Sequence, residues 1–245
     1  MKFALLSDIH GNYPALEAVL RDAWKNGVEK FVVLGDVVGY GPFPRECVRW
    51  TDAADVVLMG NHDAAVAGLV KTDFFNHVAA LAIEWTRSVL SSADMAKIMK
   101  FRERVEHYRI GDVEFSAYHG APSDPFFTYV FSLGIAREQS WRTRLNFVGH
   151  THIPAIFMLN PDKELLSPNE NFFLSFKEIE RHSCVVVNPG SVGQSRDGDP
   201  RAHYAVVNDD GIIWRRVEYD INKTAHEIVG RGLPVYLAER LYFGY

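Results

Sequence analysis

The chain has 245 residues, 47% hydrophobic and 23% charged, with a net charge of -5 when histidine is neutral. That length suits one large, well-buried domain spanning residues 1–245, and the acidic balance offers neither a basic footprint for nucleic acid nor a polybasic membrane patch. Its two cysteines, Cys47 and Cys184, stand far apart with no CxxC, a pattern expected of reduced, buried thiols in a cytoplasmic protein.

The opening apolar run meets Asp8 too early for a signal peptide, and no stretch reaches the roughly 20 apolar residues of a membrane span. Residues 2–7 (KFALLS) instead read as a strand buried on both faces. Leu16, Val19, Leu20 and Ala23 recur at helical spacing, which places a helix over 14–26 ending before Gly27. A strand at 30–34, a short helix at 43–52 and a strand at 55–59 complete a β-α-β-α-β series, hence a parallel sheet with right-handed crossovers. Residues 64–100 are Ala-rich and amphipathic and read as two or three helices over that sheet. The second half is β-rich. Residues 104–110 and 113–118 form a hairpin about Gly111-Asp112; further strands fall at 145–148, 153–159, 184–187, 203–207 and 211–218. A helix at 134–142 interrupts them, and 221–231 and 234–242 close the chain as helices. Residues 160–182 read as a surface loop with a partial helix. The expected architecture is α/β: two mixed sheets face to face with helices on the outer faces.

Five polar motifs begin where apolar runs stop: Ser7-Asp8-Ile9-His10-Gly11-Asn12, Gly35-Asp36, Gly60-Asn61-His62-Asp63, His119-Gly120 and Gly149-His150-Thr151-His152. Along an extended strand end, residues i and i+2 point the same way, so Asp8 and His10 address one point. Parallel strands set equivalent ends side by side, which brings Asp36 next to Asp8; two carboxylates that close need cations between them. Asn61 is a turn former or a neutral ligand. His62 is a substrate contact or a satisfied core histidine. His150 and His152 form an imidazole pair, and His119 ends another strand. Asp8, His10, Asp36, Asn61, His119, His150 and His152 are too many donors for one tetrahedral ion and suit two divalent ions sharing a carboxylate. With no thiolate among them, manganese, iron, zinc, cobalt or nickel fits. The other five histidines lie in ordinary contexts and receive no role.

The order DxH, GD, GNH[DE], H, GHxH resembles the calcineurin-like metallophosphoesterases. The resemblance implies a four-layer α/β/β/α sandwich with a dinuclear site at the strand ends. It implies that Asp8, His10 and His152 bind one ion, Asn61, His119 and His150 the other, that Asp36 bridges, and that His62 faces substrate. The segments Asn188–Arg201 (NPGSVGQSRDGDPR) and His119-Gly120-Ala121-Pro122 are similar to the small bacterial and archaeal phosphodiesterase-like branch. The protein-phosphatase branch has GDxxDRG where this chain has Gly35-Asp36-Val37-Val38-Gly39-Tyr40-Gly41. The histidine-orienting acid is replaced by Gly39 and the phosphate-gripping Arg by Tyr40; Asp63 is a candidate partner for His62.

The function these features imply is metal-dependent hydrolysis of a phosphodiester, on small organic phosphates or nucleotides, by a metal-bridging hydroxide with His62 at the leaving oxygen. A phosphomonoesterase or protein phosphatase is the alternative on the same metals, and a non-catalytic binding protein the alternative of another class. Candidate substrate contacts are Asn12, Tyr40 and Arg196, and Arg196 with Arg201 in the Gly-rich 188–201 loop reads as a grip on a second phosphate; Asn12 reads equally as a helix cap, Tyr40 as packing and the arginines as solvated. Phe126, Phe127 and Tyr129 are a base-stacking surface or lid packing. The C-terminal Val235-Tyr236-Leu237 and Leu241-Tyr242-Phe243 are a dimer face or internal packing, which keeps a homo-oligomer among the expectations.

Overall fold

The computed structural model describes residues 1–245. The first strand, β1 (Phe3–Leu6), leads through α1 (Tyr13–Lys25) to β2 (Lys30–Val33), then through α2 (Pro44–Trp50) to β3 (Val56–Val57), and the three strands pair in parallel. Strand side chains alternate between faces. Phe3, Leu5, Val32 and Leu34 therefore enter one core, while Ala4, Leu6, Phe31 and Val33 enter another against Leu16, Val19, Leu20 and Ala23 of α1. Both faces are buried, which is why these strands read as continuous apolar runs.

After α3 (Asn61–Val66), α4 (His77–Val89) and α5 (Ser92–Ile98), the hairpin of β4 (Arg104–Ile110) and β5 (Val113–Tyr118) opens the second sheet. It continues through α6 (Leu133–Glu138), β6 (Leu145–Phe147), β7 (Ala155–Leu159) and β8 (Lys163–Leu166). Next come β9 (Phe173–Ser175), α7 (Phe176–Ile179), β10 (Cys184–Asn188), β11 (Ala202–Val207), β12 (Gly211–Val217), α8 (Ile221–Gly230) and α9 (Val235–Glu239). Two six-stranded mixed sheets result, ordered β3-β2-β1-β11-β12-β9 and β4-β5-β6-β10-β7-β8. Phe115, Phe147, Val185, Val187 and Trp214 join Phe3 and Leu5 in the core between them, with Phe3 and Phe115 rings 5.7 Å apart. The helices lie outside, so the fold is the expected α/β/β/α sandwich. α4 lies with Ile83 in the core over the first sheet and with Ala79 and Ala82 against α8 and α9. No helix is long and apolar enough to cross a membrane.

Three expectations differ in detail. Residues 160–182 are not a loop: β8 and β9 each form the edge strand of a different sheet, and α7 follows. Edge strands expose much of their surface, so little apolar alternation marks them. The helix expected to reach residue 142 stops at Glu138 because the Trp141 indole turns back to donate to Ala136 O at 2.7 Å, capping the helix end. The third strand keeps two residues rather than five, and Leu58 adds one bridge to Arg102.

Candidate metal centre

β1, β2 and β3 run parallel in one sheet and β5, β6 and β10 in the other, so their C-terminal ends meet along one rim. All five motifs lie there. The turns are stitched by backbone: Asp8 N–H donates to Gly35 O at 3.1 Å, His10 N–H to Asp36 O at 2.9 Å, and Gly149 N–H to His119 O at 2.9 Å. Asp8, His10, Asp36, His150 and His152 all have left-handed backbone, with φ of 53°, 49°, 53°, 66° and 60°. Asp8 and His10 thus converge through a tight turn, not along an extended strand end. Such conformations cost on the order of 1–2 kcal/mol each in non-glycine residues and persist where the surroundings impose them.

The donor atoms cluster around Asp36. Its Oδ2 lies 3.5 Å from His10 Nε2 and 3.3 Å from His119 Nε2. On the His10 side, His152 Nε2 is 3.1 Å from His10 Nε2 and 3.3 Å from Asp8 Oδ1. On the His119 side, His119 Nε2 is 3.1 Å from His150 Nδ1 and 3.2 Å from Asn61 Oδ1. Asp8, His10 and His152 form one group of mutually close ligand atoms, and Asp36, His119 and His150 another; His10, Asp36 and His62 also fall within reach of one another. The structure therefore brings together all seven residues singled out from the sequence, with Asp36 between the groups.

Hydrogen bonds fix which nitrogen faces inward. His10, His119 and His152 donate Nδ1–H to Val38 O, Leu34 O and Gln194 O, at 3.2, 2.9 and 2.6 Å. Each carbonyl can only accept, so Nδ1 carries the proton in all three rings and Nε2 carries the lone pair whenever the ring is neutral, as a metal ligand must be. Asp36 Oδ1 accepts from His62 N–H at 2.9 Å, and Asp8 Oδ2 from His150 N–H at 3.1 Å, leaving Asp36 Oδ2 and Asp8 Oδ1 facing the cluster. Asn188, at the end of β10, donates to Gly149 O at 2.8 Å and Thr151 Oγ1 at 3.0 Å, while Ser191 Oγ donates to Asp8 O at 2.9 Å. The NPGS segment thus braces the turns that present Asp8, His150 and His152, a role the sequence signalled only through its motif.

Burial sets the charge state. It pushes the His10, His150 and His152 imidazoles well below their usual range, towards the neutral form that ligates metals. Burial also raises Asp8 to about 6. It acts the same way on Asp36, yet the flanking His119, His62 and His10 outweigh it and hold Asp36 well below the carboxylate range. Burial lowers His119 in turn, but Asp36 overcomes it and raises His119 to about 9. Asp8 Oδ1 and His150 Nε2 are buried without partners. Inward lone pairs, unpartnered donor atoms and an all nitrogen-and-oxygen set fit divalent transition metals.

His62 leans on Tyr40 and Phe75, with ring centroids 4.5 and 5.1 Å away, and its Nδ1 is buried without a partner. Asp63 does not orient it. The Asp63 carboxylate accepts from Val37 N–H, Val38 N–H and Gly60 N–H at 3.2, 3.0 and 3.0 Å, tying the Asp36 loop to the start of α3. Burial and then Asp36 raise its carboxyl to about 7. Gly39 fills the space beside His62: at φ 134°, a Cβ there would stand 2.7 Å from His10 Nδ1 and 2.8 Å from His62 Nδ1.

The candidate substrate contacts divide. Asn12 is corrected to a structural role: buried, it caps α1 through Ala15 N–H, donates to Gly193 O at 2.9 Å and accepts from Thr224 Oγ1 at 2.9 Å. Every polar atom of its side chain is engaged. Arg201 is likewise held by Asp199 and Glu170, at 2.6 and 2.8 Å. Tyr40 lies against His10 and His62, largely buried, and the Arg196 N–H reaches His152 O at 3.4 Å. Tyr129 stacks on His150 with centroids 3.8 Å apart, and Phe127 packs on Phe74 and Phe75. Phe74 and Phe75 of this aromatic rim carried no sequence motif. A cleft of about 480 Å³ beside Met1, Gly111 and Asp209 lies at the opposite ends of the strands and contains none of these residues.

Residues 1–210 match the model of the calcineurin-like phosphoesterase superfamily domain. An uncharacterized protein of Methanocaldococcus jannaschii is 38% identical over 98% of this chain and 97% of its own length. A metallophosphoesterase from Sphaerobacter thermophilus, of known structure, is 37% identical with a TM-score of 0.86, covering 100% of this chain and 99% of that one. A shorter stretch of 42 residues, 17% of this chain and 23% of the relative, is 48% identical to the phosphodiesterase YfcE of Escherichia coli K12. The chain belongs to the calcineurin-like phosphoesterase superfamily.

Proposed function

We propose that this member of the superfamily is a metal-dependent phosphodiesterase acting on small organic phosphates or nucleotides. The observation that carries the reading is Asp36 Oδ2, placed 3.5 and 3.3 Å from inward-facing imidazole nitrogens of two separate ligand groups. Asp8, His10 and His152 would hold one divalent ion, Asn61, His119 and His150 a second, and Asp36 both. Manganese, iron, zinc, cobalt and nickel all suit this donor set. When bound, such ions supply Lewis acidity and lower the pKa of a coordinated water towards about 7.

The chain's own residues complete the site. His62 presents Nδ1 to the Gly39 backbone, which leaves Nε2 to stabilise or protonate the leaving oxygen, a contribution of roughly 10²–10⁴-fold. Tyr40 offers a neutral hydroxyl where protein phosphatases place an arginine, which suits a diester with its smaller charge. Tyr129 and Phe127 wall the approach, and Arg196 adds positive charge. The phosphodiesterase relative supports the same choice. A cytoplasmic setting accords with Cys47 and Cys184, both buried and unbonded.

The test is turnover of bis(4-nitrophenyl) phosphate against 4-nitrophenyl phosphate by metal-reconstituted protein. Diester turnover should exceed monoester turnover about 10-fold or more and collapse, with metal content, in Asp36→Asn. Absence of both activities refutes the reading; a monoester preference would move it to the phosphomonoesterase alternative.

A further inference from the structure

The loop after His119 carries aromatic side chains that metal binding does not require. Backbone ties it to the turn of that ligand: Gly120 N–H donates to Pro125 O at 2.7 Å and Ala121 N–H to Asp124 O at 3.0 Å. Asp124 Oδ1 accepts from Phe126 N–H and Phe127 N–H at 2.9 and 3.1 Å, which fixes the turn inside the loop. Gly120 leaves no room for a side chain, since a Cβ there would stand 2.8 Å from Asp124 O and 3.0 Å from Thr128 O. The rings of this loop therefore have set places relative to the ligands. Tyr129 stacks on His150 with centroids 3.8 Å apart and planes 21° apart. Phe127 meets Phe75 at 5.9 Å, and Phe75 meets His62 at 5.1 Å. Phe74, in the turn before α4, lies 5.7 Å from Phe127.

His62, Phe75, Phe127 and Phe74 thus form one series of touching rings, and exposure rises along it. His62 is buried, Phe75 and Phe127 are half-buried, and Phe74 is 72% exposed. A single apolar side chain in water is ordinary on a protein surface. A run of rings that starts at a buried histidine of the candidate site and ends in solvent is a contiguous apolar surface, of the kind that marks a ligand groove. Ring faces of this sort receive planar groups whatever their hydrogen-bonding pattern, because every base has a π-face. In the proposed hydrolysis His62 stands at the leaving oxygen, so whatever that oxygen carries is directed along this series.

We propose that Phe74, Phe75 and Phe127 form a stacking platform for the leaving group, and that the substrate is a phosphodiester whose leaving alcohol is a nucleoside. The oxygen of water bonds to phosphorus, the bond from phosphorus to the nucleoside oxygen breaks, and that oxygen takes up a proton. The products are a free nucleoside and the phosphomonoester of the other alcohol. The inference rests on the proposed phosphodiesterase activity and on the place of His62 in it.

The test uses the manganese-loaded full chain and the methyl ester of adenosine 5′-phosphate, whose two leaving groups are both primary alcohols and differ little in intrinsic reactivity. The wild type should release adenosine and methyl phosphate at least 10-fold over adenosine 5′-phosphate and methanol. Phe74→Leu and Phe127→Leu keep apolar bulk but remove the ring. Each should cut that ratio 5-fold or more and lower kcat/KM about 5–100-fold, the value of one base–aromatic stack, while Phe74→Trp should retain both. Titration calorimetry gives a readout independent of turnover: adenosine 5′-phosphate should bind at least 10-fold tighter than inorganic phosphate, an advantage that falls 5-fold or more in both leucine variants. Adenosine 5′-phosphate and methanol as the main products, or a ratio unmoved by both leucine substitutions, overturns the platform. If the wild type does not cleave the ester, the phosphodiesterase reading fails, and the titration still decides: an equal advantage in wild type and variants overturns the platform. Phe74 lies at the surface, so its variant carries the comparison should Phe127→Leu not fold by circular dichroism.

Discussion

Replacing Asp63 by asparagine separates a brace from a catalytic partner of His62. The carboxylate serves three buried backbone donors, Gly60 and Val37 on Oδ2 and Val38 on Oδ1. An asparagine carbonyl can replace Oδ2 and keep two of these bonds, but its amide nitrogen then faces the Val38 N–H, donor against donor. One backbone N–H and the new amide lose their partners, at about 1–3 kcal/mol per unsatisfied group. Relief from burying a charge offsets part of this. A net loss of roughly 2–3 kcal/mol corresponds to a fall in Tm of roughly 4–12 °C for a chain of this size. Thermal unfolding followed by circular dichroism, with metal content measured in parallel, is the assay. Tm and metal occupancy should fall together, because the Asp36 loop and the Asn61 helix lose their tie. A large fall in kcat at unchanged Tm and metal content would refute the reasoning and make Asp63 the orienting acid of His62 after all.

Gly39→Ala should reduce metal affinity and turnover 10-fold or more, since the added methyl meets the His10 and His62 rings at a strained φ; unchanged manganese titration would show that the rings have room to move. Asn188→Ala removes the donor to Gly149 O and Thr151 Oγ1, so metal affinity should weaken about 10–100-fold, as for other groups that orient ligands; wild-type affinity would count against the brace. Asp197 and Asp199 are held below the usual carboxylate range: burial opposes this, and hydrogen bonds from Arg216 to Asp197 and from Arg201 to Asp199 prevail. A depressed folded pKa gives stability that is complete above the ordinary carboxylate pKa of about 4 and is lost as pH falls through the folded value. The urea midpoint should therefore drop steeply below about pH 4, and Arg216→Met should flatten that drop; an unchanged slope would exclude this network as its source.

Reading from sequence succeeded where burial leaves a pattern. β1, β2, β5, β10 and α1 pack on both sides or along one stripe, so their apolar runs and helical spacing stand out. Each of the seven ligand candidates follows a strand whose end lies on the common rim. The edge strands β8 and β9 were missed because they are held by backbone pairing, which any residue supplies. The left-handed turns at Asp8, His10, Asp36, His150 and His152 were missed for a related reason: non-glycine residues give no sign that the surrounding hydrogen bonds force them there. Asn12 was open between cap and contact, and only the distant Gly193 and Thr224 decide it.

The dinuclear arrangement is tested most directly by anomalous diffraction from crystals of the manganese-loaded protein. Two peaks per chain should appear about 3.5–4 Å apart, one against Asp8, His10 and His152, the other against Asn61, His119 and His150, and both against Asp36. A single peak, no peak, or two peaks without Asp36 between them would contradict the shared-carboxylate centre.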